Sequence, residues 1–329
     1  MRWKLWGPLA LFVVAALYWT FEPVIRSSDS ETTPARSPVP TPAGTPAPND
    51  PVLVGAGDIA SCQNDGDEKT AQLLDQAVAS GTPTTVFTVG DNAYENGTIQ
   101  EYEQCYGPSW GRHKDRTRPA LGNHEYRTGK ADGHFQYFGA AAGDPTKGYY
   151  SYDLGGWHIV VLNTSDHCKA LSCGAGSDQE KWLRSDLAAS GAYCTLAIWQ
   201  DPRFSSSARA GGSGKVESFW DALYDYGAEL VVNGGEHNYE RFAPQTSIGA
   251  PDSEFGIRQI VVGTGGRSLD IIEPARQPNS EITNDDTFGV LKLTLHPASY
   301  DWEFIPVAGF KFHDSGSAAC HAAPPPLND

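Results

Sequence analysis

The chain has 329 residues, with 40 Asp and Glu against 24 Lys and Arg, for a formal charge of −16. That balance excludes a broad nucleic-acid surface, which needs clustered cations to displace the counterions of a phosphate backbone. Six cysteines with no CxxC pair argue for disulfides over a thiolate metal cluster. At the amino end, Arg2 and Lys4 precede an apolar run from Leu5 to Phe21, with Trp3, Trp6, Tyr18 and Trp19 near its two ends. A charged entry, an apolar run and interfacial aromatics are the pattern of a secretory signal or an uncleaved membrane anchor over residues 1–26. The absence of a small-x-small cleavage site favours the anchor. Residues 27–50 are rich in Ser, Thr and Pro, a composition that stays extended and buries no core. Residues 51–329 then form one large domain on the extracytoplasmic side.

Within that domain, residues 51–57 read as a short apolar strand ending at Asp58. Residues 67–80 place Leu73, Leu74, Ala77 and Val78 on one helical face, stopped by Gly81 and Pro83. The β-branched run 84–89 follows, and strand, helix, strand in this order implies a parallel pair. Further strands are expected at 157–162, 193–199, 230–233 and 259–262, with helices at 178–190 and 215–226. The end of the chain, 289–306, alternates as two strands around His296-Pro297-Ala298-Ser299. The expected class is α/β with a β-rich end. Cys168 and Cys173 bracket a short loop and are placed to bridge. Cys62 with Cys105, and Cys194 with Cys320, complete one scheme, although pairing does not follow from sequence.

Four strand ends carry residues that bind metals or phosphate. They are Gly57-Asp58, Gly90-Asp91-Asn92-Ala93-Tyr94, Gly122-Asn123-His124-Glu125, and the run from Gly234-Gly235-Glu236-His237 to Arg241. Glycine before each aspartate lets the backbone turn and aim a carboxylate into the crevice above a sheet. Tyr94 adds a phenol that can share a cation with both carboxylates. Asn123 offers a neutral oxygen, His124 can protonate a leaving oxygen, and Glu125 can fix the tautomer of a neighbouring imidazole. The basic stretch Arg112-His113-Lys114 with Arg116 and Arg118 reads as a solvated loop. His134, His158, His167, His296, His313 and His321 read as structural or exposed.

Taken together, these segments resemble the calcineurin-like metallophosphoesterase superfamily, and more closely its purple-acid-phosphatase-like branch. Gly90-Asp91-Asn92-Ala93-Tyr94 and His237-Asn238-Tyr239-Glu240-Arg241 carry the closer likeness, which spans residues 52–321. The resemblance implies a four-layer αββα sandwich with two metals, Fe, Mn or Zn, above the sheet edges. It implies that Asp58, Asp91, Tyr94 and His237 hold the first metal, with Asp91 bridging, and that Asn123 joins Asp91 on the second. The family's two remaining ligands are histidines, and this chain has Gln200 and Gly235 at those positions. Gln200 supplies a weak amide oxygen at best, and Gly235 supplies no side chain. One ion is therefore expected to be firmly held and the second loosely.

The resemblance then implies a phosphoric ester hydrolase acting on a small phosphorylated substrate. In it an activated water attacks phosphorus and His124 protonates the departing alkoxide. The alternative is a catalytically weak or inactive relative that holds a phosphorylated ligand through the remaining metal.

Overall fold

The computed structural model describes residues 50–209 and 211–325. The expected anchor, and all of the expected linker except its last residue, Asp50, lie outside these residues. Among the described residues no helix is long and apolar enough to cross a membrane.

Among the described residues, thirteen strands form two sheets. In chain order they are β1 (Val52–Ala56), β2 (Thr84–Thr88), β3 (Thr117–Arg118), β4 (Tyr150–Leu154), β5 (Trp157–Val161), β6 (Cys194–Trp199) and β7 (Leu230–Asn233). They continue with β8 (Tyr239–Phe242), β9 (Arg258–Val262), β10 (Ser280–Asn284), β11 (Gly289–His296), β12 (Ser299–Pro306) and β13 (Asp314–Ala319). The first sheet runs β13-β12-β11-β1-β2-β3 and the second β10-β8-β9-β7-β6-β5-β4. β1 and β2 pair in parallel, Val52 opposite Thr84, as the strand, helix, strand order requires. β11 and β12 close the expected hairpin, with His296 opposite Ser299.

The layers follow from the two-residue period of the strands. On β5, Trp157, Ile159 and Val161 join Leu196, Ile198, Leu230 and Val232 in a core shared with β1 and β11. Val160, with Ala197, Trp199 and Val231, faces the opposite way. There it meets Leu183 and Leu187 of helix Asp178–Ala189 and Phe219, Trp220 and Leu223 of helix Glu217–Asp225. Helix Gly66–Ala79 covers β1, β2 and β11 on the far side of the first sheet. The stack is helix, sheet, sheet, helix, the four-layer arrangement expected.

Helix Asp178–Ala189 starts where Ser177 accepts a hydrogen bond from the Glu180 amide at 3.2 Å, a side-chain N-cap. The helix expected at 215–226 is shorter, Glu217–Asp225, entered through a tight turn at Gly214–Val216. Strands β4, β8, β10 and β13 and helix Asp132–Phe138 were not anticipated. β13 reads Asp-Ser-Gly-Ser-Ala-Ala, which has no strand propensity of its own and is held by pairing with β12.

All three cysteine pairs form: Cys62–Cys105, Cys168–Cys173 and Cys194–Cys320. The third joins β6 to the chain just past β13, locking the two sheets to each other. Arg112 is bound by Glu68 and Asp75, and His113 by Asp75, so this basic stretch is clamped onto the first helix.

Candidate metal centre

The site lies where the carboxyl ends of parallel strands from both sheets meet, the position open α/β sheets reserve for ligands. β1 delivers Asp58, β2 delivers Asp91 and Tyr94, β6 delivers Gln200, and β7 delivers Gly235, Glu236 and His237. Asp58 and Asp91 both take left-handed backbone, φ 58° and 49°. Aspartate tolerates this because its short side chain bonds locally. Gly90 does make the expected turn, with φ 98°. Gly57 does not; it is needed for room, since a Cβ there would lie 2.5 Å from Val89 Cγ2.

Tyr94 Oη is the hub of the cluster. It lies 2.8 Å from Asp58 Oδ1, 3.0 Å from Asp91 Oδ2 and 3.2 Å from His237 Nε2. His237 Nε2 is also 3.1 Å from Asp58 Oδ1. Adjacent ligands of one cation at bonds of about 2.1 Å stand about 3 Å apart, so these spacings suit a shared ion. Asp58, Asp91 and His237 alone do not all approach within 4.8 Å of one another, and Tyr94 is the member that touches each. The one triple that does meet that spacing among the described residues is Cys194, Glu229 and Cys320. Its two sulfurs form a disulfide, so it offers no thiolate.

The electrostatics of the cluster also fit a cation. Burial, and then the charge of Asp58, push the Asp91 carboxyl up to about 7. Burial raises Asp58 as well, but His237 beside it outweighs this and holds it below the usual carboxylate range. Burial and the two carboxylates together drive the Tyr94 phenol well above its ordinary value. Anionic donors crowded out of water favour either protons or a metal ion, and hard oxygen with imidazole suits Fe, Mn or Zn.

Glu125 has a different role from the one its sequence position suggested. It is fully buried and accepts from the backbone amides of Gly122 at 2.7 Å, Asn92 at 2.8 Å and Asp91 at 3.0 Å, and from Tyr102 Oη at 3.1 Å. It therefore pins the Asp91 loop to the Asn123 loop and leaves the imidazole to other partners. His124 Nδ1 donates to the Glu95 carbonyl at 2.6 Å, and Arg127 Nη2 donates to His124 Nε2 at 3.0 Å. Those two partners fix a neutral ring with its proton on Nδ1. Burial, reinforced by Arg127, lowers its pKa. Nε2 lies 3.8 Å from Asp91 Oδ2, so the ring borders the centre.

Asn123 and Gln200 close on each other. Asn123 N donates to Gln200 Oε1 at 2.6 Å, and Gln200 Nε2 donates to Asn123 Oδ1 at 3.1 Å. Gly235 sits beside them at φ 76°, and a Cβ there would lie 3.1 Å from Gln200 Cγ. Its amide instead donates to Asp58 Oδ2 at 2.9 Å. Beside this pair opens a cavity of about 370 Å³, lined by Asn123, His167, Asp201, Arg209, Gly235 and Glu236 among others.

Two of these residues escaped the sequence reading. His167, expected to be merely structural or exposed, faces this cavity with Nδ1 2.5 Å from Asp201 Oδ1. The hydrogen bond that Nδ1 donates to Asp201 raises its pKa. Arg209 Nη1 reaches His237 Nε2 at 3.1 Å and Asp270 Oδ2 at 3.2 Å. No spacing or periodicity marks either residue; only the left-handed turn at 166–168 sets His167 apart, and that is visible only in three dimensions.

A two-sheet α/β sandwich with carboxylate, phenol and imidazole donors at its strand ends defines a metallophosphoesterase. The calcineurin-like phosphoesterase pattern matches residues 52–239, more than half the chain, and the protein belongs to that family, which uses metal ions. Among curated proteins, Purple acid phosphatase 15 of Arabidopsis thaliana is 31% identical over 143 residues, covering 42% of this chain and 26% of that protein. Acid phosphatase type 7 of Homo sapiens is 32% identical over 121 residues, 31% of this chain and 27% of the relative. The chain thus matches about a quarter of the length of each. The fold is shared with purple acid phosphatase PPD1 from yellow lupin (Lupinus luteus) seeds, at TM-score 0.72 and 20% identity over 84% of this chain and 55% of that one. GAP50, the anchor in the inner membrane complex of Plasmodium, has TM-score 0.64 and 12% identity over 83% of this chain and 89% of its own.

Proposed function

We propose that this chain is an extracytoplasmic, metal-dependent phosphoric ester hydrolase resembling purple acid phosphatase, with one cation firmly held. The observation that carries the reading is the meeting of Asp58, Asp91 and His237 on Tyr94 Oη, from loops far apart in sequence. Three disulfides suit an oxidising compartment.

Asp58, Asp91, Tyr94 and His237 would hold the ion, while Asn123 with the weak amide of Gln200 borders the place of a second. When bound, the metal supplies Lewis acidity and brings water within reach of ionisation at moderate pH. The chain does the rest. Glu125 keeps the Asp91 and Asn123 loops in register, and Ser268 Oγ holds His237 Nδ1 at 2.7 Å, orienting the imidazole. Once protonated on Nε2 in place of the Arg127 contact, His124 would carry the proton that the leaving alkoxide needs. Burial and Arg127 lower the His124 pKa, which makes the protonated ring a readier acid and shifts its action toward more acidic pH.

A second reading, a binding protein that holds a phosphorylated ligand without turnover, draws on the closed Asn123–Gln200 pair. One assay separates the two. The full chain is incubated with Mn, Zn or Fe and p-nitrophenyl phosphate, beside D91A and the Q200H/G235H double variant. Turnover by the parent that disappears in D91A supports hydrolysis. Turnover confined to the double variant supports the binding role.

A further inference from the structure

We infer that the anion-recognising half of this site is built from Arg209 and the Asp201-held His167, which receive the phosphoryl oxygens that a second cation would otherwise hold. The inference rests on the phosphoester reading above and names the groups that would grip the substrate.

The protein is strongly acidic and its centre holds two buried carboxylates, so a phosphate needs local positive charge to approach. The Asn123–Gln200 side of the cavity offers only neutral amides, already bonded to each other. Gly235 offers a backbone amide, and that is committed to Asp58. Among the cavity residues named above, the positive charge comes from Arg209 and from His167 when protonated.

Both side chains are set up to bind rather than only to pack. Arg209 uses Nη1 for Asp270, and for His237 Nε2 only while no metal takes that nitrogen, which leaves Nη2 and Nε as donors. A guanidinium anchored at one end presents the planar fork that suits phosphate oxygens. His167 gives Nδ1 to Asp201, so Nε2 is the nitrogen left for a ligand. Its backbone is held by Lys215 Nζ, which donates to the His167 carbonyl at 3.0 Å. Asp166, His167 and Cys168 are consecutive non-glycine residues at φ 44°, 57° and 62°. Such backbone is costly and persists where the surroundings over-determine it, here beside the Cys168–Cys173 bridge. With both side chains lining one cavity, and Arg209 reaching His237, a phosphate monoester there would turn its oxygens toward Arg209 and His167.

The test titrates inorganic phosphate calorimetrically into the full chain loaded with Mn²⁺, as parent, H167N and R209Q, with H167Q as a second histidine replacement. Metal content and thermal midpoint are measured on the same samples. Each variant should bind phosphate about tenfold more weakly, the scale of one charge-assisted hydrogen bond at a half-exposed position. Manganese content and midpoint should stay at parental values in H167N and H167Q. Phosphate affinity within twofold of the parent in all three variants would overturn the inference while leaving the phosphoester reading intact. A manganese-loaded parent that binds no phosphate would overturn both.

Discussion

The two halves of this site solve opposite problems with the same kind of loop. Around Tyr94, carboxylates, a phenol and an imidazole are packed out of water with their charges unresolved, and Asp91 is pushed to about 7 as a result. Around Asn123, two neutral amides satisfy each other and offer a cation no charge. A buried cluster of acids stores free energy that a cation releases, whereas a closed amide pair must be broken before a cation can enter. On this account the halves bind metal very unequally, and each prediction below attacks that inequality.

The largest effect is expected from D91A. Removing a carboxylate that touches Tyr94 and borders both halves should weaken metal binding by more than about 100-fold, beyond what outer partners typically contribute. It should abolish any turnover. Equilibrium dialysis and p-nitrophenyl phosphate hydrolysis would check this, and parental metal affinity in D91A would break the comparison. Next, H124N should lower kcat by about 10²–10⁴-fold with metal content unchanged. R127Q removes a charge that depresses the His124 pKa, so it should move the alkaline limb of the pH profile upward.

A smaller effect concerns the metal-free protein. Burial raises Asp91, Glu125 and Glu236 to about 7, well above unfolded carboxylates. The folded state then binds more protons than the unfolded one between about pH 4 and 7, so stability should fall as pH rises through that window. His158, between Asp153 and Asp186, and His296, between Asp50 and Asp301, act in the same direction. Burial opposes the charged form of each ring, but the paired aspartates outweigh it and raise both pKa values. Their contribution is complete below about pH 6.5 and is lost as pH rises through the raised folded values. Thermal melts with chelator should show the midpoint dropping by several degrees from pH 5 to 8, and saturating Mn²⁺ should flatten the curve. The smallest effect is structural. In Q200H/G235H a Cβ enters at φ 76°, which should cost about 1–2 kcal/mol in the metal-free state. The gain should be a second bound ion, visible by elemental analysis.

The contrast between the halves also marks what the sequence could reveal. Strand cores such as Leu230–Asn233 were legible because an apolar run between turn signals has few other readings. Gly-Asp at two strand ends was legible for the same reason, as a local signal, whereas Gln200 and Gly235 stand out only against the family that the chain resembles. Glu125 was misjudged because its partners, the amides of Asp91 and Asn92, sit a whole helix and loop away. β13 was missed because tertiary pairing overrides weak propensity. His167 and Arg209 were invisible for a deeper reason: their meaning lies in which cavity they face, and no sequence period encodes that.

Counting tightly bound ions on the unmodified full chain tests the central claim most directly. Limiting Mn²⁺ is titrated into chelator-treated protein and the free ion is followed. The account predicts a single sharp stoichiometric break at one ion per chain, with any second ion entering far more weakly. Two ions bound with equal tightness would contradict it.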